Sequence, residues 1–297
     1  MMSPSRRIFA AVFVCAAVAP TAGACGADDR APYVDSRDAE AAPPLDLFEG
    51  GVEPSSPPAL PPAPVDVVIT ADNAYAFGWG DEAKITTLYE NAPARTSSEI
   101  FDCPIGTGPE AYVVPADEAL PGAWLYVVSW ADYTTSQGVI AQFKHRGGDA
   151  IYTGAGEWQA CATGRPYPDN LTRPDKQTIN DEIARCNAGS GDPARTSAGW
   201  VGPTAAITPN AQGRVAFGQD NMSDIDLRPS PGYVFPPVCK RDVTHGGQGI
   251  DGQARWMWYA PPGFAGNPFL ATGDNDTRTF LVFRFPTSAL PPPKLPK

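Results

Sequence analysis

From Val65 onward the apolar runs are short, and each is closed by Gly, Pro, Asn or Asp. A chain punctuated in this way cannot assemble long helices, because proline removes a backbone donor and glycine costs ordering entropy inside an element. It can form short strands joined by frequent turns, and the β-branched and aromatic content of the runs predicts an all-β body. Candidate strands lie at residues 65–71, 75–79, 85–89, 111–114, 123–130, 138–144, 157–161, 214–218, 254–259 and 279–285. Several alternate with period two: Tyr75, Phe77 and Trp79 share one face, and Ala74, Ala76 and Gly78 share the other. Full burial of each large ring is worth about 2 kcal/mol or more. In "WLYVVSW" both faces are apolar, which predicts a central strand covered on both sides. Arg284 points opposite to Phe283 and Phe285, so if its face is covered it needs a carboxylate or backbone carbonyls. Trp256 and Trp258 share a face, as core residues do.

One helix interrupts the strands. In "TRPDKQTINDEIARCNAGSG", Pro174 suits the first helical position, Ile179, Ile183 and Cys186 make one apolar stripe, and Gly189 can cap the end. A helical insert near 174–187 places Cys186 where a disulfide would staple helix to sheet. Beyond Cys25 the candidate partners are Cys103, Cys161, Cys186 and Cys239. An even number in an exported chain predicts two disulfides, with three connectivities open; the working pairing is Cys103 with Cys161 and Cys186 with Cys239. Zinc is disfavoured, since no pair has C-x-x-C spacing and neither His145 nor His245 has a second ligand at metal spacing.

The N-terminus sets the compartment. Arg6 and Arg7 precede an apolar stretch from Ile8 to Pro20 that suits a secretory signal over residues 1–24 and is too short to span a bilayer. Ser5-Arg6-Arg7-Ile8-Phe9 resembles a twin-arginine signal, with ordinary export as the alternative. Ala22-Gly23-Ala24-Cys25 resembles the end of a bacterial lipobox, which makes Cys25 the lipid attachment point; the alternative is a soluble secreted protein cut before it. Residues 25–64 hold nine prolines and eight acids against two arginines, so they read as a disordered tether able to reach on the order of 100 Å. Residues 65–290 form the domain, and 291–297 a Pro-rich tail. Without its signal the chain keeps 33 acidic and 20 basic residues, a net charge of −13. No basic stripe is present, so nucleic acid is excluded as a partner and membrane contact is left to the lipid anchor. Nothing in the sequence sets the oligomeric state.

A series of motifs runs through the strands. "TADNAYAFGWGDE", "LPGAWLYVVSWAD", "SQGVIAQF", "GAGEWQAC", "SAGW", "ARWMWYA" and "TFLVFRF" occur in the order in which similar elements occur in galactose-binding-like β-sandwiches, extracellular modules related to lectins and carbohydrate-binding domains. The chain resembles that family over most of residues 65–286, with Trp124 in place of the usual Asn and Gly80-Asp81 in place of Asn-Gly. The resemblance implies a jelly-roll sandwich and non-catalytic binding of a glycan or another cell-envelope ligand.

Sugars bind where an aromatic face lies beside a carboxylate or amide. Trp79 with Asp81, and Trp130 with Asp132 and Tyr133, each place a ring at a strand end followed by an acid, and are the candidate ligand residues; core packing is the alternative for both rings. No cofactor is expected beyond a possible structural calcium, whose oxygen ligands would come from Asp220, Asn221, Asp224, Asp226, Asp274 and Asp276. A surface assembly protein with a protein partner is the second functional expectation. The third is a hydrolase using His245, although no G-x-S-x-G elbow is present.

Overall fold

The computed structural model describes residues 61–72, 74–90, 100–101, 109–130, 136–166, 174–189, 199–204, 213–221, 235, 249–270 and 279–294. All fall within one compact unit, Pro57–Lys297. The strands are β1 (Val65–Asp72), β2 (Ala74–Gly80), β3 (Ile85–Glu90), β4 (Glu110–Val114), β5 (Trp124–Trp130), β6 (Gly138–His145), β7 (Ala150–Tyr152), β8 (Gln159–Pro166), β9 (Arg214–Asp220), β10 (Arg255–Ala260) and β11 (Thr279–Pro286), with helix α1 (Lys176–Asn187) between β8 and β9. They build two antiparallel sheets. The first runs β4-β1-β6-β10-β9 with β7 added on β6, and the second runs β3-β2-β5-β11-β8. The architecture is a β-sandwich with a helix laid on the outside of the second sheet.

Strand periodicity explains the layering. On β2, Tyr75, Phe77 and Trp79 enter the core between the sheets, while Ala74 and Ala76 face the other way, beneath the helix. On β5, Leu125 and Val127 face the inter-sheet core, and Tyr126, Val128 and Trp130 face outward against Ile179 and Ile183 of α1. β5 lies between β2 and β11, so the doubly apolar "WLYVVSW" is central and covered on both faces. β11 repeats the pattern: Leu281, Phe283 and Phe285 point inward, and Phe280 and Val282 point outward. Trp256 and Trp258 are fully buried, and Trp256 stacks on Phe235 at 3.8 Å between ring centroids.

Helix α1 starts two residues later than the proline suggested. Asp175 is the N-cap and accepts from the Thr178 N–H at 2.7 Å, so Pro174 lies just outside. The far end follows expectation: Gly189 has φ +63°, a left-handed turn that glycine adopts at little cost, and its N–H reaches the Cys186 carbonyl. The helix also covers an open sheet edge. The Asn180 side chain accepts from the Ile85 N–H at 2.8 Å and donates to the Ile85 carbonyl at 3.0 Å, so one amide occupies the backbone groups of β3 as a further strand would.

The disulfide pairing must be corrected. Cys161 is joined to Cys186, with Cα atoms 6.2 Å apart, which rules out Cys103 with Cys161 and Cys186 with Cys239; Cys103 and Cys239 lie outside the described residues. The bond does join helix to sheet, as the position of Cys186 implied, but the sheet partner is β8. The first described residues are held by the sheet. The Pro64 carbonyl accepts from the Arg146 N–H and the Ala63 carbonyl lies 3.1 Å from His145 Nδ1, while the Lys294 N–H donates to the Gly147 carbonyl. Residues at both ends of the domain are thus tied to the β6–β7 turn, and His145 serves that tie.

Candidate functional site

The outer face of the second sheet holds a buried cation where apolar residues would be expected. Arg284 on β11 stands opposite Tyr126 on β5 and Gln159 on β8, and only 3 % of its surface is exposed. Its guanidinium lies between two indoles, 4.4 Å from the ring centre of Trp124 and 3.7 Å from that of Trp200. Nε donates to Gln159 Oε1 at 2.9 Å, and Nη1 donates to the Glu82 carbonyl at 3.0 Å and to Asn187 Oδ1 at 3.2 Å. Nη2 faces the Glu82 carboxylate at 3.6 Å, beyond hydrogen-bonding distance, and the Glu82 side chain is 68 % exposed. Burial pushes the guanidinium down from its ordinary pKa, with the Tyr126 hydroxyl and Glu82 acting in the opposite direction. Burial likewise pushes the Tyr126 hydroxyl up to about 12, against the Arg284 charge. The cation is therefore held by rings and neutral dipoles more than by a close counter-charge.

Three chain segments bring the surrounding groups together. Val201 exchanges both backbone hydrogen bonds with Ala160 of β8, which fixes Trp200 beside the sheet edge. Next to Ala160, Cys161 is bonded to Cys186, and the following residue is Asn187. Asn187 is the hub: Oδ1 accepts from Trp200 Nε1 at 2.6 Å as well as from Arg284, and Nδ2 donates to the Glu82 carbonyl at 3.0 Å. On the third side, Asp81 accepts from the backbone N–H groups of Ala83 and Lys84 at 2.8 and 2.9 Å, and this turn presents Glu82. Glu82, Ala83, Asn187, Trp200 and Arg284 line a shallow depression of about 380 Å³.

The residues singled out from sequence fare differently. Trp79 and Trp130 are 2 % and 1 % exposed, so neither ring has a face for a sugar. Trp79 packs on Phe77 and Tyr89 and donates through Nε1 to Glu118, and Trp130 lies beneath the helix. That corrects the stacking role expected of these two rings in favour of core packing. Asp81 adjoins the depression, but its carboxylate is spent on the turn; Asp132 and Tyr133 lie outside the described residues. Of the calcium candidates, Asn221 is buried and its side chain donates to the Ile250 carbonyl, Asp220 ends β9, and Asp224, Asp226, Asp274 and Asp276 lie outside the described residues, as do Cys25 and His245. Among the described residues no three His, Cys, Asp or Glu side chains are grouped to hold a metal, and no helix is long and apolar enough to cross a membrane.

Trp79→Ala is expected to cost about 3–5 kcal/mol of stability, as removal of a buried ring does, read from the midpoint of urea unfolding. A platform ring would behave in the opposite way, leaving the midpoint in place. The residues that sequence reasoning missed as site members are Glu82, Asn187, Trp124 and Trp200. Their nearest signal was an unpaired Arg284 on a strand otherwise flanked by aromatic residues. No protein-family model, curated protein or solved structure matches this chain.

Proposed function

We propose that the chain is an exported protein, lipid-anchored through Cys25, whose galactose-binding-like sandwich binds a glycan without catalysis at the Trp200–Arg284 depression. The observation that carries the reading is the rigid stack Trp124–Arg284–Trp200 beneath a rim of Glu82 and Asn187. Partly exposed indole offers apolar surface to the C–H face of a sugar, and a carboxylate and an amide beside it suit hydroxyl groups. The groups are preorganised by mutual hydrogen bonds, so little ordering entropy is lost on binding. Among the described residues Glu82 is the one acid lining the depression, whereas glycoside hydrolysis ordinarily uses two carboxylates at a set separation, which favours binding over cleavage. The acidic Pro-rich stretch at residues 25–64 fits display at a distance from an anchor.

The test is a glycan array with the mature chain beside Trp200→Ala and Tyr89→Ala. Tyr89 is the exposed aromatic, at 47 %, that leans on Trp79, and it is the competing platform. The expected result is binding by the native chain, at least a tenfold loss in Trp200→Ala, and retention in Tyr89→Ala. Absence of binding to any glycan, or loss confined to Tyr89→Ala, overturns the assignment of this site.

A further inference from the structure

We infer that the ligand carries a carboxylate, as an isolated uronic acid residue does, and that it takes the place of the Glu82 carboxylate on Arg284; the inference rests on the glycan reading above. Three features of the cation lead there. Arg284 is almost fully buried and still lines the depression, so its charge is presented from a fixed point in the floor. Two of its three nitrogens are held by neutral acceptors: Gln159 Oε1 on Nε, and the Glu82 carbonyl with Asn187 Oδ1 on Nη1. The third, Nη2, has its counter-charge 3.6 Å away on the mostly exposed Glu82 side chain, so among the described residues the guanidinium has the neutral Tyr126 hydroxyl beside it but no close anion.

An ion pair of that kind contributes little, because solvent screens it and the glutamate must give up rotamer freedom to maintain it. Glu82 therefore acts as a weak, displaceable occupant. A ligand carboxylate delivered by a sugar stacked on Trp200 has paid its ordering cost through the stack, and meets a planar donor edge locked between two rings. Burial makes the exchange favourable, since the guanidinium has been stripped of water without receiving a close anion. The chain's net negative charge works against densely charged polymers, so the fitting ligand has one acidic sugar among neutral ones.

The experiment is calorimetric titration of the mature chain and of Glu82→Gln with oligosaccharides containing one glucuronate, galacturonate or mannuronate, each beside its carboxyl-reduced counterpart. A short peptide with a free C-terminal carboxylate completes the set. Glu82 is exposed, so the substitution leaves the fold in place. The expected result is that one uronate binds at least tenfold tighter than its reduced form, and that Glu82→Gln widens this ratio several-fold because the competing carboxylate is gone. Reduced sugars binding as well as the acids overturns the inference and keeps the glycan reading. Binding of the peptide in preference to every sugar overturns both, as does failure of all the sugars in the titration together with the array. A ratio that narrows in Glu82→Gln also overturns the inference, since Glu82 would then be assisting the ligand.

Discussion

Arg284→Ala is expected to lower the stability of the domain by about 3–5 kcal/mol, the combined scale of buried acceptors losing a charged donor and two indoles losing a cation. The substitution removes the cation from two indole faces, each contact worth about 0.5–2 kcal/mol when desolvated. It also leaves the Glu82 carbonyl, Asn187 Oδ1 and Gln159 Oε1 without their shared donor. Arg284→Lys should recover only a minor part, because a compact ammonium cannot lie flat between Trp124 and Trp200 or serve three acceptors at once. Urea unfolding of the three proteins checks this. Equal midpoints would mean that the stack contributes no net stability.

The second large effect concerns the Cys161–Cys186 bond. Its partners are 25 residues apart, and closing a loop of that length in the unfolded chain is worth about 3–4 kcal/mol. Replacing both cysteines by alanine should lower the unfolding midpoint accordingly. The consequence extends beyond stability, since Asn187 follows Cys186 directly and connects Trp200, Arg284 and the Glu82 turn. The double variant should therefore show a more mobile Trp200, read as faster acrylamide quenching of its fluorescence. A stable double variant with unchanged quenching would show that Asn180, Ile179 and Ile183 hold the helix in place without the bond.

The layers were legible wherever a strand alternates. Tyr75, Phe77 and Trp79 declare one face of β2, and "WLYVVSW" declares its double coverage, because a half-buried strand would have shown polar residues at every second position. The helix was legible from Ile179, Ile183 and Cys186. Glu182 was not: it is 2 % exposed, held by Arg185 at 2.9 Å and faced by Arg165 at 3.6 Å, and nothing in a charged heptapeptide says which acid turns inward. β7 has three residues, too few to establish a period, and β8 begins at Gln159, two residues later than the expected start at Glu157.

The site was largely illegible for a different reason. Trp79 and Trp130 are strand residues followed by acids, a pattern shared by core rings and binding rings, and the distinction lies in whether another layer covers them. For Trp130 that layer is α1, whose position depends on its disulfide to β8 and on Asn180 at the β3 edge. Trp200 stands alone among Gly, Pro and Ser, with no periodicity to orient it, and is placed by the bridge between Val201 and Ala160. Arg284 was correctly read as needing acceptors. Its partners come from β8, from the turn after β2 and from the end of α1, three segments that only the tertiary fold brings together.

Trp200 is the residue on which the proposed glycan binding depends most directly, and the chain's seven tryptophans allow it to be watched against an internal reference. Indole N–H resonances, assigned by single substitution, are to be followed while the best-binding oligosaccharide is added. Binding at the depression should give a saturable shift of the Trp200 signal, a smaller one at Trp124, and fixed signals from Trp79, Trp130 and Trp256. A titration that shifts the buried indoles while Trp200 stays fixed, or that binds sugar with no indole responding, would contradict it.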